Sequence, residues 1–507
     1  MAIFGSLLSW YFRRRMQQVE YAMTHAAEVQ HQTFKSLIEQ AQNTAWGRLY
    51  DYKSIHTPEE YARRVPVSTY EELKPFIERT MRGEQNVLWP SEIRWFAKSS
   101  GTTNDKSKFI PVSYEALEDC HFQGGRDVLT VYCHNHPETK IFAGKGLVIG
   151  GSHKVNNYND SSNFGDLSAV IMANLPFWVN FLRTPDLSIA LMDEWEEKIE
   201  KLALATVNED VTNISGVPTW TVVLMNRLFE MTGRKDMTEI WPNLELYIHG
   251  GVSFVPYREQ FKKLIPSSSM NYLETYNASE GFFGLQAESG RDDMLLMTNY
   301  GIYYEFIKQE ELYTTDNPKT YTLAEVEAGQ NYAMLISTNA GLWRYLVGDT
   351  VRFTSVNPYR FKISGRTKLF INAFGEELMI DNAEMAMAEA CRHTNAVLRD
   401  YTAAPIYFTE EDGQSAGHEW LVEFEKAPEN PQEFKAILDN TLKTLNSDYE
   451  AKRYKDIALK PPKVHLMEPG VFHNWLKTKG KLGGQHKVPR LSNDRKIVDE
   501  ILALQNV

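Results

Sequence analysis

The sequence predicts a mixed α/β protein, with one large body followed by a smaller domain. Three observations carry this. From Trp95 onward, apolar runs of strand length alternate with helical segments. The chain of 507 residues is long enough for roughly three domain-lengths, which large mixed folds merge into fewer bodies. Hydrophobic residues make up 43% and charged residues 24%, so a large core is available and global disorder is excluded.

The elements follow in order. Ile3, Phe4, Leu7, Leu8, Trp10, Tyr11 and Phe12 precede Arg13, Arg14 and Arg15, the reverse of a secretory signal. A first helix packed on its own domain is the expectation; resting on a membrane surface is the alternative. Phe34, Leu37, Ile38 and Ala41 give one apolar helical stripe. Thr57-Pro58-Glu59-Glu60 combines a capping threonine, proline at the first helical position and glutamate three after the cap, and Ser68-Thr69-Tyr70-Glu71 repeats that logic. Strands are expected at 146–149, 244–248, 294–298, 303–307, 333–337 and 343–353. The glycine-containing turn Ser364-Gly365-Arg366-Thr367-Lys368 marks the seam, dividing the chain into 1–368 and 369–507. A last helix is expected with Ser492 as cap and Ile497, Val498, Ile501 and Leu502 on one side.

Composition narrows the function. Lys plus Arg number 54 and Asp plus Glu 66, giving a net charge of -12 that argues against coating nucleic acid. No run of about 18 apolar residues is present, so no membrane-spanning helix is expected. Three cysteines, Cys120, Cys133 and Cys391, with no CxxC pair, fit a reducing cytoplasm. Cys133-His134-Asn135-His136 invites a zinc reading, but neighbouring side chains diverge and no second cysteine pair supports it.

The densest chemical signal is Ser99-Ser100-Gly101-Thr102-Thr103-Asn104-Asp105-Lys106-Ser107-Lys108. Hydroxyls, a glycine and lysines within one loop suit a polyphosphate, which needs many donors and positive charge. It is not a Walker A loop, because Ser100 and Asp105 hold the positions where glycines belong. Taken alone, a polar turn between two strands explains it equally well. Glu274 to Gly281 places Tyr276 four residues before Glu280, offering a ring for a base and an anion for a metal. Gly341 to Asp349 ends a strand-like run with Gly-Asp, where a carboxylate can accept both hydroxyls of a ribose; a turn-forming or salt-bridged aspartate is the plainer account. Lys477 to Arg490 is basic, acid-free and glycine-containing, suggesting an anionic partner or a solvated face.

At these segments the chain resembles the acyl acid amido synthetases, a family first described as auxin-responsive plant proteins, within the luciferase-like acyl-adenylating superfamily. Ser99 to Thr103 with Lys108 looks like the family's phosphate loop, and Tyr276-Asn277-Ala278-Ser279-Glu280 like its Tyr-x-x-Ser-Glu element. Arg344-Tyr345-Leu346-Val347-Gly348-Asp349 is similar to its Tyr-Arg-x-Gly-Asp element, and Gln485-His486-Lys487-Val488-Pro489-Arg490 to its Gln-Tyr-Lys-x-Pro-Arg. Trp241-Pro242-Asn243 ahead of Gly250-Gly251 adds a fifth match, so the resemblance spans residues 99 to 490. Asp105 stands where a glycine is usual, Ala278 replaces a frequent serine and His486 a tyrosine.

The resemblance implies a large multi-layered adenylating domain with a smaller α+β C-terminal cap. It also implies ATP- and Mg²⁺-dependent conversion of a small carboxylic acid to acyl-AMP and pyrophosphate, followed by acyl transfer to an amino acid. Ser99, Ser100, Gly101, Thr102, Thr103 and Lys108 would hold the β and γ phosphates, with Ser279 in the nucleotide-binding set. Glu280 would ligate Mg²⁺, Tyr276 pack on adenine and Asp349 bind the ribose, while Lys487 neutralises charge at the α-phosphate. Arg366 and Lys368 would lie at the pivot of the cap, with Arg366 near the ribose. For the acid, Phe177, Trp178 and Trp220 are candidate pocket walls, although core packing accounts for aromatics there equally simply. The alternatives are an acid:thiol ligase using coenzyme A and a nucleotide-binding regulatory protein without turnover.

Overall fold

The computed structural model describes residues 2–100, 107–150, 156–159, 161–192, 194–252, 254, 257–312, 318–367, 370–407, 416–456, 458–479 and 488–505, with only the backbone given for 2–10, 13, 100, 107, 156, 157, 195 and 505. Among these residues the architecture is mixed α/β, a large N-terminal body carrying a smaller C-terminal unit.

The body is organised on a twelve-stranded sheet. One half is antiparallel and includes Ile302–Lys308, Asn331–Thr338, Tyr345–Val356 and Tyr359–Arg366, then the short Met294–Leu296 and Gly281–Leu285. The other half is parallel: Asn271–Ala278, Leu246–Gly250, Val211–Ser215, Lys145–Val148 and Arg183–Thr184. Helices Trp195–Thr206, Pro218–Thr232 and Arg258–Leu264 occur in the connections of the parallel half, as crossovers between parallel strands require. A four-stranded sheet lies beside this one, with Trp95–Ser100 between Ser107–Val112 and Ser162–Gly165.

The expected strands are present within one to three residues of their predicted ends. The stripe from Phe34 to Ala41 is the buried face of helix Ala26–Ala41. Helix Pro58–Arg64 carries the capping box of Thr57 and Glu60. The next cap is Thr69 with Glu72, one residue later than expected, and opens helix Tyr70–Met81. The last helix, Lys496–Gln505, also starts later, because Asp494 rather than Ser492 accepts the Lys496 N–H at 3.0 Å. At the expected seam, 364–366 continue the strand opposite Asp349 and Thr350 instead of turning, and 368–369 lie outside the described residues.

The N-terminal helix Ala2–Thr24 packs on the body through Arg15, whose guanidinium donates to both oxygens of buried Asp127 at 2.7 and 2.6 Å. Phe12 stacks on Phe142 at 5.5 Å. No described helix is long and apolar enough to cross a membrane. The C-terminal unit has strands Val397–Ile406, Gly417–Lys426 and Lys463–Met467, with helices Ile380–His393 and Pro431–Leu445. Its Phe374, Trp420 and Tyr449 share one apolar cluster with Trp220, Tyr247 and Tyr257 of the body.

Arg344 is almost wholly buried and left-handed at φ 44°, and it joins distant segments. It donates to Glu305 at 3.0 and 3.2 Å, to the carbonyls of Ala62 and Val65 at 2.8 and 2.6 Å, and to Thr320 at 2.9 Å. Removing one partner of a buried pair leaves the other charge uncompensated. Glu305→Ala is therefore expected to destabilise the protein by about 3–5 kcal/mol, seen as a lower urea midpoint. An unchanged midpoint would show that the carbonyls alone hold this guanidinium.

Candidate functional site

Open α/β sheets bind ligands beyond the carboxyl ends of their parallel strands, where the connections diverge. Leu246–Gly250 and Asn271–Ala278 end on such a place, at the change from parallel to antiparallel pairing. A cavity of about 1230 Å³ opens there between the sheet and the C-terminal unit. The strand ending Gly250-Gly251 closes tightly on its neighbour: a Cβ on Gly250 would stand 2.4 Å from the Thr275 carbonyl oxygen, and Gly251 has φ 80°. Glycine is required at both by close approach and by backbone conformation.

Strand alternation aims the functional side chains. On Asn271–Ala278, Tyr272, Glu274 and Tyr276 are spaced by two and share a face, which the cavity takes as its floor. The Tyr276 hydroxyl donates to Asp349, and the Arg366 Nε donates to the same carboxylate at 2.8 Å. Arg366 continues to Glu377 at 3.0 Å, and its guanidinium carbon lies 5.0 Å from the centre of the Phe370 ring. Burial opposes the charge of Arg366, but Asp349 and Glu377 more than offset it and hold the guanidinium above its ordinary value. Burial, reinforced by Asp349, pushes the Tyr276 phenol well up, so it stays a hydrogen-bond donor.

Glu280 sits at the other end of this group. Tyr345 offers its hydroxyl at 3.4 Å, and burial raises the Glu280 carboxyl above its usual range against the opposing field of Lys108. Lys108 lies directly across from Ser99 in the antiparallel pair, and both line the cavity. The cavity thus presents lysine and hydroxyl at one end, a half-buried carboxylate beside them, then a ring and a second carboxylate. That series matches a phosphate chain followed by a nucleoside.

Ser99, Lys108, Tyr276, Ser279, Glu280, Asp349 and Arg366 all line this cavity. Gly101, Thr102, Thr103, Lys368 and Lys487 lie outside the described residues, as does the side chain of Ser100. None of the three expected acid-pocket residues lines this cavity. Phe177 and Trp178 stand on the short turn Phe177–Phe181 and are 76% and 58% exposed. Trp220, 3% exposed, belongs to the apolar face of helix Pro218–Thr232, with the Lys452 ammonium 4.9 Å from its ring centre. Sequence reading missed Tyr345, Glu377 and the cavity floor of His249, Tyr272 and Glu274; the period-two spacing back from Tyr276 would have pointed to the last two.

Models of the GH3 family match the chain in order: the N-terminal domain over residues 15–270, the central domain over 295–366 and the C-terminal domain over 381–496. The chain is similar to indole-3-acetic acid-amido synthetase GH3.3 of Arabidopsis thaliana, 22% identical over 91% of this chain and 89% of that protein. It is also similar to indole-3-acetic acid-amido synthetase GH3.8 of Oryza sativa subsp. indica, 23% identical over 85% and 82%. Among solved structures, the fold matches the GH3.15 acyl acid amido synthetase with TM-score 0.61 and 16% identity, covering 97% of this chain and 95% of that one. It matches 2-hydroxyisobutyryl-CoA ligase, in complex with 2-HIB-AMP and CoA, with TM-score 0.51 and 15% identity, covering 93% and 92%.

The raised pKa of Glu280 has a thermodynamic consequence. A carboxyl that holds its proton more tightly when folded costs stability once ionised: the cost is absent below the ordinary carboxylate range, grows as pH rises toward the folded-state value, and is complete above it. Glu280→Gln is thus expected to raise the melting temperature at pH 7, with the gain vanishing near pH 4. A variant less stable than the parent at pH 7 would show that Lys108 outweighs burial.

Proposed function

The chain belongs to the GH3 family, and from that premise we propose that it is an ATP-dependent acyl acid amido synthetase. A carboxylate is a poor acyl donor because its oxygen is a bad leaving group. In the first step an oxygen of the acid attacks the α-phosphorus of ATP, the bond to the β-phosphate breaks, and pyrophosphate leaves. In the second step the nitrogen of an amino acid bonds to the acyl carbon, the bond to AMP breaks, and one proton leaves the nitrogen. The observation that carries this reading is the convergence of Lys108, Glu280, Tyr276 and Asp349 on one cavity.

Each group has a physical role. Asp349 uses one lone pair for Tyr276 and another for Arg366, which leaves two for ribose hydroxyls. Tyr276 gives the base a wall; Ser99, residues 100–103 and Lys108 supply donors and charge to the β and γ phosphates. Glu280 would hold Mg²⁺, which shields phosphate charge when bound; one carboxylate suits an ion bound mainly by phosphates and water. No grouping of three metal-ligating side chains occurs among the described residues, consistent with an ion brought in by the nucleotide. The cap, taken as residues 369–507, is proposed to move between the two steps, carrying Lys487 to and from the α-phosphate. Three free thiols, two of them buried, support a cytoplasmic setting.

A coenzyme A acceptor is the second reading, favoured by the fold shared with a CoA ligase. Pyrophosphate release across a panel of acids, indole-3-acetate included, tests the first step; comparing glycine, aspartate, glutamate and coenzyme A as acceptors separates the two readings. No release with any acid would leave only nucleotide binding.

Two variants probe the assignments. Asp349→Asn is expected to weaken ATP binding by about 2 kcal/mol, roughly thirtyfold by titration calorimetry, and a normal titration would make this carboxylate purely structural. Lys487→Ala is expected to slow acyl-AMP formation by about 10²- to 10³-fold with ATP affinity near normal. An unchanged rate would remove that lysine from the chemistry.

A further inference from the structure

The strand that carries Tyr276 borders the cavity with both of its faces. The base on Tyr276 and the ribose on Asp349 take one face, and the β and γ phosphates go to Lys108 and Glu280. Under these assignments the α-phosphorus lies near Ser279, and the acid must reach it from the side away from the departing pyrophosphate. Successive side chains of a strand point to opposite faces, so Asn277 turns away from Tyr276 while still lining the cavity.

A helix holds Asn277 there. The segment Ala116–Phe122, wound as a π-helix, presents His121, whose Nδ1 lies 3.0 Å from the Asn277 Oδ1. Such π-helical turns are rare and recur at functional sites. Two further contacts fix this helix on the hairpin of Asn277: the Phe282 N–H donates to the Cys120 Sγ at 3.1 Å, and a Cβ on Gly124 would stand 2.4 Å from the Phe282 ring. Phe282 is the strand partner of Asn277. His121 is 5% exposed, and burial, against the bond to Asn277, lowers its pKa to about 4, so the imidazole is neutral at physiological pH. An amide oxygen only accepts, so the single ring proton sits on Nδ1 and is donated to Asn277. The amide nitrogen is thereby turned from His121, and it makes no hydrogen bond among the described residues.

The cavity wall beside Asn277 is Lys98, Asp166 and Leu167, since helix Leu167–Asn174 packs on both the His121 segment and strand Trp95–Ser100. Three of these four side chains are polar, which does not make a slot for an aromatic ring. An apolar acid laid against Asn277 would cover its N–H donors without replacing the water they bind, and a site built to hydrogen-bond one group rejects an analogue that lacks it.

We propose that Asn277, set by His121, selects the acid: its amide N–H groups hydrogen-bond an oxygen that the substrate carries beyond its carboxylate, which makes the preferred acid a hydroxy or oxo acid. His121 does not line the cavity and is a positioning residue. The proposal rests on the amido synthetase reading and adds to it the class of acid. The plainer role of the pair, bracing the hairpin, uses only the amide oxygen and is already served by Cys120 and Gly124.

Matched acids test this: lactate and pyruvate against propionate, and 3-hydroxybutyrate against butyrate. Pyrophosphate release by the full chain is expected to favour the oxygenated acid of at least one pair by about tenfold or more in kcat/KM, chiefly through KM. Asn277→Ala and Asn277→Leu are each expected to bring that ratio to about one while melting as the parent does and keeping ATP affinity, measured by calorimetry, within about twofold. His121→Leu is expected to lower the ratio, and His121→Gln, which keeps a donor for the amide oxygen, to restore it; a merely bracing histidine would change stability without moving the ratio. A parent with no preference for the oxygenated acid in any pair, or a ratio unchanged in both Asn277 variants, would overturn the proposal. So would a parallel loss of ATP affinity in variants that melt normally, which would assign Asn277 to the nucleotide. If no acid releases pyrophosphate, saturation-transfer NMR of the same pairs with AMP present reads the preference as binding. A binding preference that the Asn277 variants erase would then defeat the enzymatic reading and leave the selection standing, whereas no preference, or no acid bound at tens of millimolar, would overturn the selection itself.

Discussion

One carboxylate, that of Asp349, fixes the geometry on which the site depends. It receives Tyr276 from strand Asn271–Ala278 and Arg366 from strand Tyr359–Arg366. In sheet order, three strands separate the strand of Tyr276 from that of Asp349. Laid flat at about 4.8 Å per strand, the two would stand roughly 19 Å apart, far beyond the joint reach of a tyrosine and an aspartate. The hydrogen bond therefore requires the sheet to curl on itself. The short strand Met294–Leu296 lies among the intervening three, and bulges interrupt the pairing of 350–355 with 360–365, devices that bend and twist a sheet. Curvature brings the two halves together; Asp349 records where they meet.

The C-terminal unit is held by a different kind of contact. Its apolar residues share one cluster with those packed on the parallel strands. Glu376 accepts the backbone N–H groups of Ala373 and Phe374 and pairs with His418 at 2.8 Å, so one carboxylate shapes the turn that precedes the unit. Tyr257 donates to the Ala373 carbonyl at 2.8 Å, and Asn372 donates to the Gly251 carbonyl at 3.0 Å. A rotation about 368 would break both bonds, whereas one beginning after Met379 would keep them and part the buried Glu376–His418 pair instead.

Much of this was legible in the sequence, and what was not follows a pattern. Strands with β-branched and aromatic runs, the Thr57 cap and the Phe34 stripe are local signals, and local chemistry decides them. The shared placement of Lys108, Tyr276, Glu280 and Asp349 came from matching dispersed segments to a family, because no local rule brings residue 108 near residue 280. The place of Trp220 is illegible for the same reason. An aromatic between two motifs reads alike whether it lines a cavity or fills the space behind a sheet, and only the helix crossover settles which. Ser-Gly-Arg-Thr is polar and reads as a turn, yet 364–366 are extended and Gly365, paired opposite Thr350, serves a bulge instead.

The segment from Arg344 to Asp349 shows how a motif divides its labour. Within the strand, Tyr345 reaches Glu280, Val347 lines the cavity and Asp349 clips Tyr276, so alternate side chains serve the site. Arg344 precedes the strand in a left-handed conformation and turns the opposite way, into the carbonyls of Ala62 and Val65. Backbone bonds reinforce it: Ser68 N–H donates to the Arg344 carbonyl at 2.9 Å, and Leu346 N–H to that of Ser68 at 2.8 Å. The following helix, Tyr70–Met81, then supplies the Tyr70 hydroxyl that accepts the Phe109 N–H at 3.0 Å, next to Lys108. The first hundred residues carry no motif of their own, but they brace both walls of the cavity, and Arg344 is the point from which that bracing is applied.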